Sequence, residues 1–328
     1  KKNGLKMMKK KTQEEEHTTL KGDIFDRLLL QVNEGCGKED HFFVSCIIAW
    51  LEVVWYLVQY SMLTHLIQKP REVLFPEISA GWTTAMKILE ALVVLSFLCY
   101  RFSKKLGLQF HSFMDRMCNI RLWPTHGFLL MIGYMIVSFG IFCLLQYLLG
   151  QWYFSWDNYQ VKSTDPATMG GWDKLRITEI LLLSPLKEEI IFRILLYHII
   201  YHRTNKVVLS ISSANVLFGL LQLSNIRSKN YTALYVVFQV ILGTIVGMFF
   251  STRLLAAQSV LEPLALHMLN NFLGSFMSTH NFEASDPVIL CSLLQTALVY
   301  GNLTLRAFRK SDEYTGSLFV IKHISKGR

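Results

Sequence analysis

The sequence predicts an all-α, polytopic membrane protein with about eight transmembrane helices. Of its 328 residues, 52% are hydrophobic and only 17% are charged, whereas a soluble domain carries about a quarter charged residues. The apolar residues also come in blocks of roughly 20, the length of helix that crosses a bilayer. Finally, charged and amide side chains recur inside some of these blocks, where they need partners on neighbouring helices.

The apolar blocks place the predicted spans in chain order. They lie near residues 42–66, 81–100, 127–149, 175–201, 207–223, 231–255, 260–277 and 287–308. The fifth and seventh spans are the shortest, and polar residues interrupt both. We therefore divide the chain into a cytosolic N-terminal segment at 1–40, N-terminal transmembrane helices at 41–174, a core at 175–280, and a last helix with a basic cytosolic tail at 281–328.

An amphipathic helix is predicted at 103–121, between spans two and three. Its apolar side chains recur at helical spacing, and basic residues occupy the other faces. The apolar set is Leu106, Phe110, Phe113, Met114 and Met117. This pattern suits an interfacial helix lying on the cytosolic headgroups, and equally a solvated helix packed on the bundle.

The basic residues indicate how the chain is oriented. The net charge is +9, and the lysines and arginines lie between apolar blocks rather than on one face of a globule. They concentrate at the chain ends and in the loops that share a side with those ends, so the positive-inside rule predicts that both termini are cytosolic. Membrane lipids account for this charge, and nucleic acid is not an expected partner.

The middle of span four carries several charges. Residues 184–193 read Ser-Pro-Leu-Lys-Glu-Glu-Ile-Ile-Phe-Arg. Glu189 and Arg193 are four residues apart and share a helix face, so they can pair, whereas Glu188 points about 100° away toward a different neighbour. We therefore predict Glu188 as a general base on water, supported by Glu189 and Arg193. The alternative is a buried ion pair that only fixes helix packing.

Span seven supplies two polar side chains on one face. His267 and Asn271 are four residues apart, and both can donate hydrogen bonds. Such a pair could hold a developing oxyanion. Taken alone, each residue would more simply join helices by a hydrogen bond.

These residues together resemble the CPBP intramembrane proteases, which include the type II CAAX prenyl endopeptidase and the bacterial Abi proteins. The family pattern is E-E-x-x-x-R, then F-x-x-x-H, then H-x-x-x-N, on three membrane helices. Glu188, Glu189 and Arg193 match the first motif, and His267 and Asn271 match the third. The resemblance implies the CPBP bundle, with Glu188 activating water and His267 and Asn271 binding the oxyanion.

The second motif departs from the family. Phe218 is present, but Gln222 stands where the family has histidine, and an amide cannot exchange a proton near neutral pH. Two interpretations follow. The chain is an endopeptidase acting on a prenylated CAAX-type or membrane-tethered peptide, or it is a pseudoprotease that binds or assembles with a membrane protein partner. A transporter is disfavoured because no internal repeat is visible.

No cofactor is expected at this site. Zinc is not favoured, because Glu188 and His267 leave too few strong ligands for a three-ligand catalytic centre. The resemblance to the prenyl endopeptidase favours the endoplasmic reticulum as the compartment.

Overall fold

The computed structural model describes residues 38–74, 80–117, 126–150, 174–227, 233–276 and 287–309, and these form helices joined by short turns. The helices before the core are α1 (Lys38–Leu74), α2 (Ala80–Lys105), α3 (Phe110–Met117) and α4 (His126–Leu148). The core contains α5 (174–204), α6 (Val207–Leu221) with a 3₁₀ turn at Gln222–Arg227, α7 (Ala233–Ala257) and α8 (Leu261–Gly274), and α9 (Pro287–Arg309) follows. The described part of the chain is all-helical, as predicted.

Four of the described helices are long and apolar enough to cross a membrane. Their apolar stretches are Phe42–Pro70, Gly127–Leu148, Val207–Ile226 and Ala233–Ala257. Helix α5 carries several charges, and α8 has only 14 residues. Neither is therefore both long and apolar enough to count among the four. The predicted count of eight spans therefore stays a prediction, although a described helix overlaps each of the eight blocks.

The predicted helix at 103–121 is divided in two. Helix α2 continues to Lys105, and the chain then turns through Gly107, whose φ of 69° is left-handed. The Gly107 N–H donates to Lys104 O over 3.1 Å and the Leu108 N–H donates to Ser103 O over 2.9 Å. This bond pair ends a helix at a glycine, which the apolar periodicity could not reveal. Residues 118–121 lie outside the described part.

Helix α3 packs on the bundle through Phe113. That side chain is fully buried, and its ring lies edge-on to Phe102 of α2 at 5.8 Å between centroids. Phe102 in turn contacts Tyr56 of α1. Helix α3 therefore packs on the bundle, which is one of the two roles expected for it. That it lies on the cytosolic headgroups stays a prediction.

Close approach of α6 and α7 brings the core together. A Cβ added at Gly219 of α6 would lie 2.6 Å from Val240 O and 2.1 Å from Thr244 Oγ1, both on α7. Gly243 of α7 lies beside Phe218 of α6. Small residues allow two helix backbones to approach this closely, and the contact positions Phe218 next to the polar residues of α5.

Candidate active site

Helix α5 contains two π-helical segments, Glu179–Leu183 and Glu189–Leu196, which flank a short α-helical turn. Pro185 lies in that turn and has no N–H to donate. The Ser184 N–H donates to Glu179 O, five residues back. Such π-bulges recur at functional sites in helices, and here they surround the Glu188–Glu189 pair.

Pro185 and the π-register together leave the Ile180 carbonyl without a backbone donor from its own helix. The N–H groups that could reach Ile180 O in an α- or a π-register belong to Ser184, which is bonded elsewhere, and to Pro185, which has none. The Asn271 side chain of α8 donates to this carbonyl from Nδ2 over 3.1 Å. Asn271 therefore joins α8 to the bulge in α5 by satisfying a half-buried carbonyl for which the helix itself supplies no donor.

Glu188 and Glu189 both contact the His267 ring. His267 Nδ1 lies 2.7 Å from Glu189 Oε1, and His267 Nε2 lies 3.3 Å from Glu188 Oε2. The Glu189 side chain is fully buried, whereas that of Glu188 is 25% exposed. The sequence predicted that Glu188 turns toward a different neighbour from Glu189. Instead the two long side chains converge on one imidazole, and Glu188 is the one an incoming molecule can reach.

Arg193 pairs with the buried carboxylate, as its spacing predicts. Its Nε lies 3.5 Å from Glu189 Oε2, and neither side chain is exposed. The guanidinium carbon lies 4.4 Å from the centre of the Phe218 ring, which is a favourable cation–π distance. Arg193 is therefore held both by a charge and by an aromatic face.

Gly247 of α7 leaves room for this guanidinium. A Cβ at Gly247 would lie 3.1 Å from Arg193 Nη2 and 2.6 Å from the Asn215 side-chain oxygen. Asn215 is fully buried, and its Nδ2 donates to Ile211 O and to Ser251 Oγ over 2.8 Å each. The glycine is required here because any side chain would displace Arg193 or Asn215.

Ser184 is a site residue that the motifs did not indicate. Its hydroxyl donates to Glu188 Oε1 over 2.8 Å, so each oxygen of the Glu188 carboxylate has a polar neighbour. The i, i+4 spacing of Ser184 and Glu188 carried this signal, since such residues share a helix face. Ser184 restrains Glu188 in a defined orientation.

Gln222 takes part in a separate amide cluster. Asn225 Nδ2 donates to Gln222 Oε1 over 3.2 Å and to Gln239 Oε1 over 3.0 Å. Within the described ranges, Gln222 makes no hydrogen bond to Glu188 or His267. Its predicted place in one cavity with those two residues remains a prediction.

The described residues do not form a cluster of three or more His, Cys, Asp or Glu side chains arranged to hold a metal ion.

Residues 171–273 match the family model of the type II CAAX prenyl endopeptidase Rce1-like proteins. This part of the chain is similar to that family. The match contains all the residues of the polar cluster described above and confirms the resemblance predicted from the motifs. No curated protein and no solved structure matches the chain. The family match and the four apolar helices identify an integral membrane protein.

Proposed function

We propose that this protein is an intramembrane endopeptidase that cleaves a prenylated CAAX-type or membrane-tethered peptide. The observation that carries this proposal is the partly exposed Glu188 carboxylate, 3.3 Å from a buried imidazole, inside the stretch that matches the CAAX prenyl endopeptidases. A carboxylate beside an imidazole can accept a proton from water and pass it on.

In the proposed reaction, Glu188 takes a proton from a water molecule whose oxygen attacks the scissile carbonyl carbon. The tetrahedral intermediate then collapses, the C–N bond breaks, and the leaving amine receives the proton. The proton transfer that Gln222 cannot provide falls to Glu188 alone, because the Nε2–H of the neighbouring His267 is kept for the oxyanion. Glu189, fixed by Arg193, orients the His267 ring from its other nitrogen, 2.7 Å away.

His267 and Asn271 remain the proposed donors to the oxyanion. An amide nitrogen carries two hydrogens, so the bond from Asn271 to Ile180 O leaves its second N–H for the substrate. His267 would donate from Nε2, the ring nitrogen on the Glu188 side. Donors fixed before the reaction stabilise the developing charge with little reorganisation.

A second candidate function is that of a pseudoprotease subunit that binds a membrane protein partner. The observation that favours it is Gln222, which accepts a hydrogen bond from Asn225 and stands where the family has a histidine, so that the imidazole is missing from this position. For either function we propose a multi-pass protein of the endoplasmic reticulum with both termini cytosolic, in contact with membrane lipids.

The test is cleavage of a farnesylated CAAX peptide by the purified protein in lipid nanodiscs. We expect Glu188→Ala to abolish turnover while the protein keeps its thermal stability, because the base is lost but the apolar packing is not. Gln222→His should hold or raise the rate, by up to about 10²- to 10⁴-fold where the imidazole is well placed. No cleavage by wild type or by either variant would instead favour the pseudoprotease.

A further inference from the structure

Two lysines flank one glutamate beside the candidate active site. Lys187 Nζ lies 2.8 Å from Glu179 Oε1, and Lys87 Nζ of α2 lies 3.7 Å from Glu179 Oε2. The side chains of Lys87, Glu179 and Lys187 are 36%, 33% and 25% exposed, respectively. The three therefore form an accessible cluster with one positive charge in excess, which the proposed mechanism does not use.

This lysine cluster borders the accessible carboxylate of the site. Lys187 directly precedes Glu188 in the chain, so their Cα atoms are about 3.8 Å apart. Tyr60 of α1 interacts electrostatically with Lys187, Glu179 and Glu188 alike. Groups from α1, α2 and α5 thus meet in one polar region that contains the lysines and Glu188.

We propose that Lys87 and Lys187 bind the C-terminal carboxylate of the substrate. This inference rests on the proposed function, because a CAAX motif is by definition the end of a chain. Its terminal carboxylate lies three residues beyond the prenylated cysteine, at most about 11 Å away in an extended peptide. A lysine adjacent to the general base lies within that reach.

The charge balance explains why two lysines are present. A substrate carboxylate near Glu188 is repelled by it, and the excess positive charge of the lysine cluster offsets this repulsion. Glu179 already occupies the lysines in the free protein, so it competes with the incoming carboxylate. Removing the Glu179 charge should accordingly strengthen binding of a peptide acid, an effect that loss of folding cannot imitate.

The experiment measures binding of two farnesylated CAAX peptides ending in methionine, one a free acid and one a C-terminal amide. The protein carries Glu188→Gln and is held in nanodiscs, so that cleavage does not interfere. The free acid should bind about 5- to 30-fold more tightly than the amide, as expected for a partly exposed charge-assisted contact. Lys87→Met with Lys187→Met should remove this difference, and Glu179→Gln should enlarge it.

Lys104→Met is the matched control. Lys104 lies on the same helix as Lys87 and about 25 Å along its axis, with its amine over the Tyr100 ring. This variant should keep the full preference for the acid. Equal binding of acid and amide, or a preference that survives the double lysine substitution, overturns the carboxylate site and leaves the proposed endopeptidase standing. Preference for the acid, combined with no cleavage of the same peptide by the wild-type protein, supports the site and refutes the proposed activity.

Discussion

Removing Arg193 should strongly destabilise the protein, because it leaves the Glu189 carboxylate buried without its cation. Both side chains are fully buried and 3.5 Å apart, and breaking a buried ion pair from one side costs about 3–5 kcal/mol. The stack on Phe218 contributes about 2 kcal/mol of that cost when it is desolvated. We therefore expect Arg193→Met to lower the free energy of unfolding by about 3–5 kcal/mol, measured by SDS unfolding in mixed micelles.

The double variant separates a lost charge from lost packing. Arg193→Met combined with Glu189→Gln removes both charges, so it should cost no more than Arg193→Met alone. The resulting coupling between the two positions should reach about 2–3 kcal/mol, near the top of the range for residues in contact. Arg193→Lys, which keeps the charge but not the planar stack, should fall between wild type and Arg193→Met. Costs that add to within about 0.5 kcal/mol would refute the pairing of Arg193 with Glu189.

Three further outcomes are expected, two from the packing of the core helices and one from the distribution of basic residues. Gly247→Ala should lower the free energy of unfolding by about 1–3 kcal/mol, because its methyl group would overlap the side-chain oxygen of Asn215. Gly133→Ala is the control and should have no such effect, because the space around Gly133 is open. Asn271→Leu should cost about 1–3 kcal/mol by leaving Ile180 O without a donor, and an unchanged unfolding curve would contradict that bond. An epitope at the C-terminus should be digested by protease added to sealed, right-side-out microsomes, whereas its protection would contradict the predicted orientation.

The sequence predicted the positions of the described helices and named side chains that the structure brings together, namely Glu188, Glu189, Arg193 and His267, but it missed Ser184. Apolar blocks and i, i+4 spacing are local signals, and they located the Glu189–Arg193 pair and the His267 helix. The contacts between helices were harder to predict from the sequence. That His267 bridges both carboxylates, and that Asn271 donates to the Ile180 carbonyl, depends on the π-helical register on either side of Pro185, which periodicity alone does not encode.

Glu52 shows a second limit of sequence reasoning. It is a lone acidic residue within the first apolar block, and an ionisable group at such a position is a candidate for a buried partner. In the structure it binds Lys105, and Arg203 lies 3.0 Å from it, with all three side chains nearly buried. Both basic residues belong to the set whose distribution predicts which side of the membrane is cytosolic. They also join α1, α2 and α5, a contact between distant segments that no local pattern indicates.

Glu188 is proposed to activate the water molecule that cuts a peptide within the membrane. The most direct measurement is mass spectrometry of the products of a farnesylated CAAX peptide incubated with the nanodisc-embedded protein in H₂¹⁸O. We predict one ¹⁸O atom in the new carboxylate of the farnesylated product with the wild-type protein, and no product with Glu188→Gln. Labelled product formed at the wild-type rate by Glu188→Gln would contradict it.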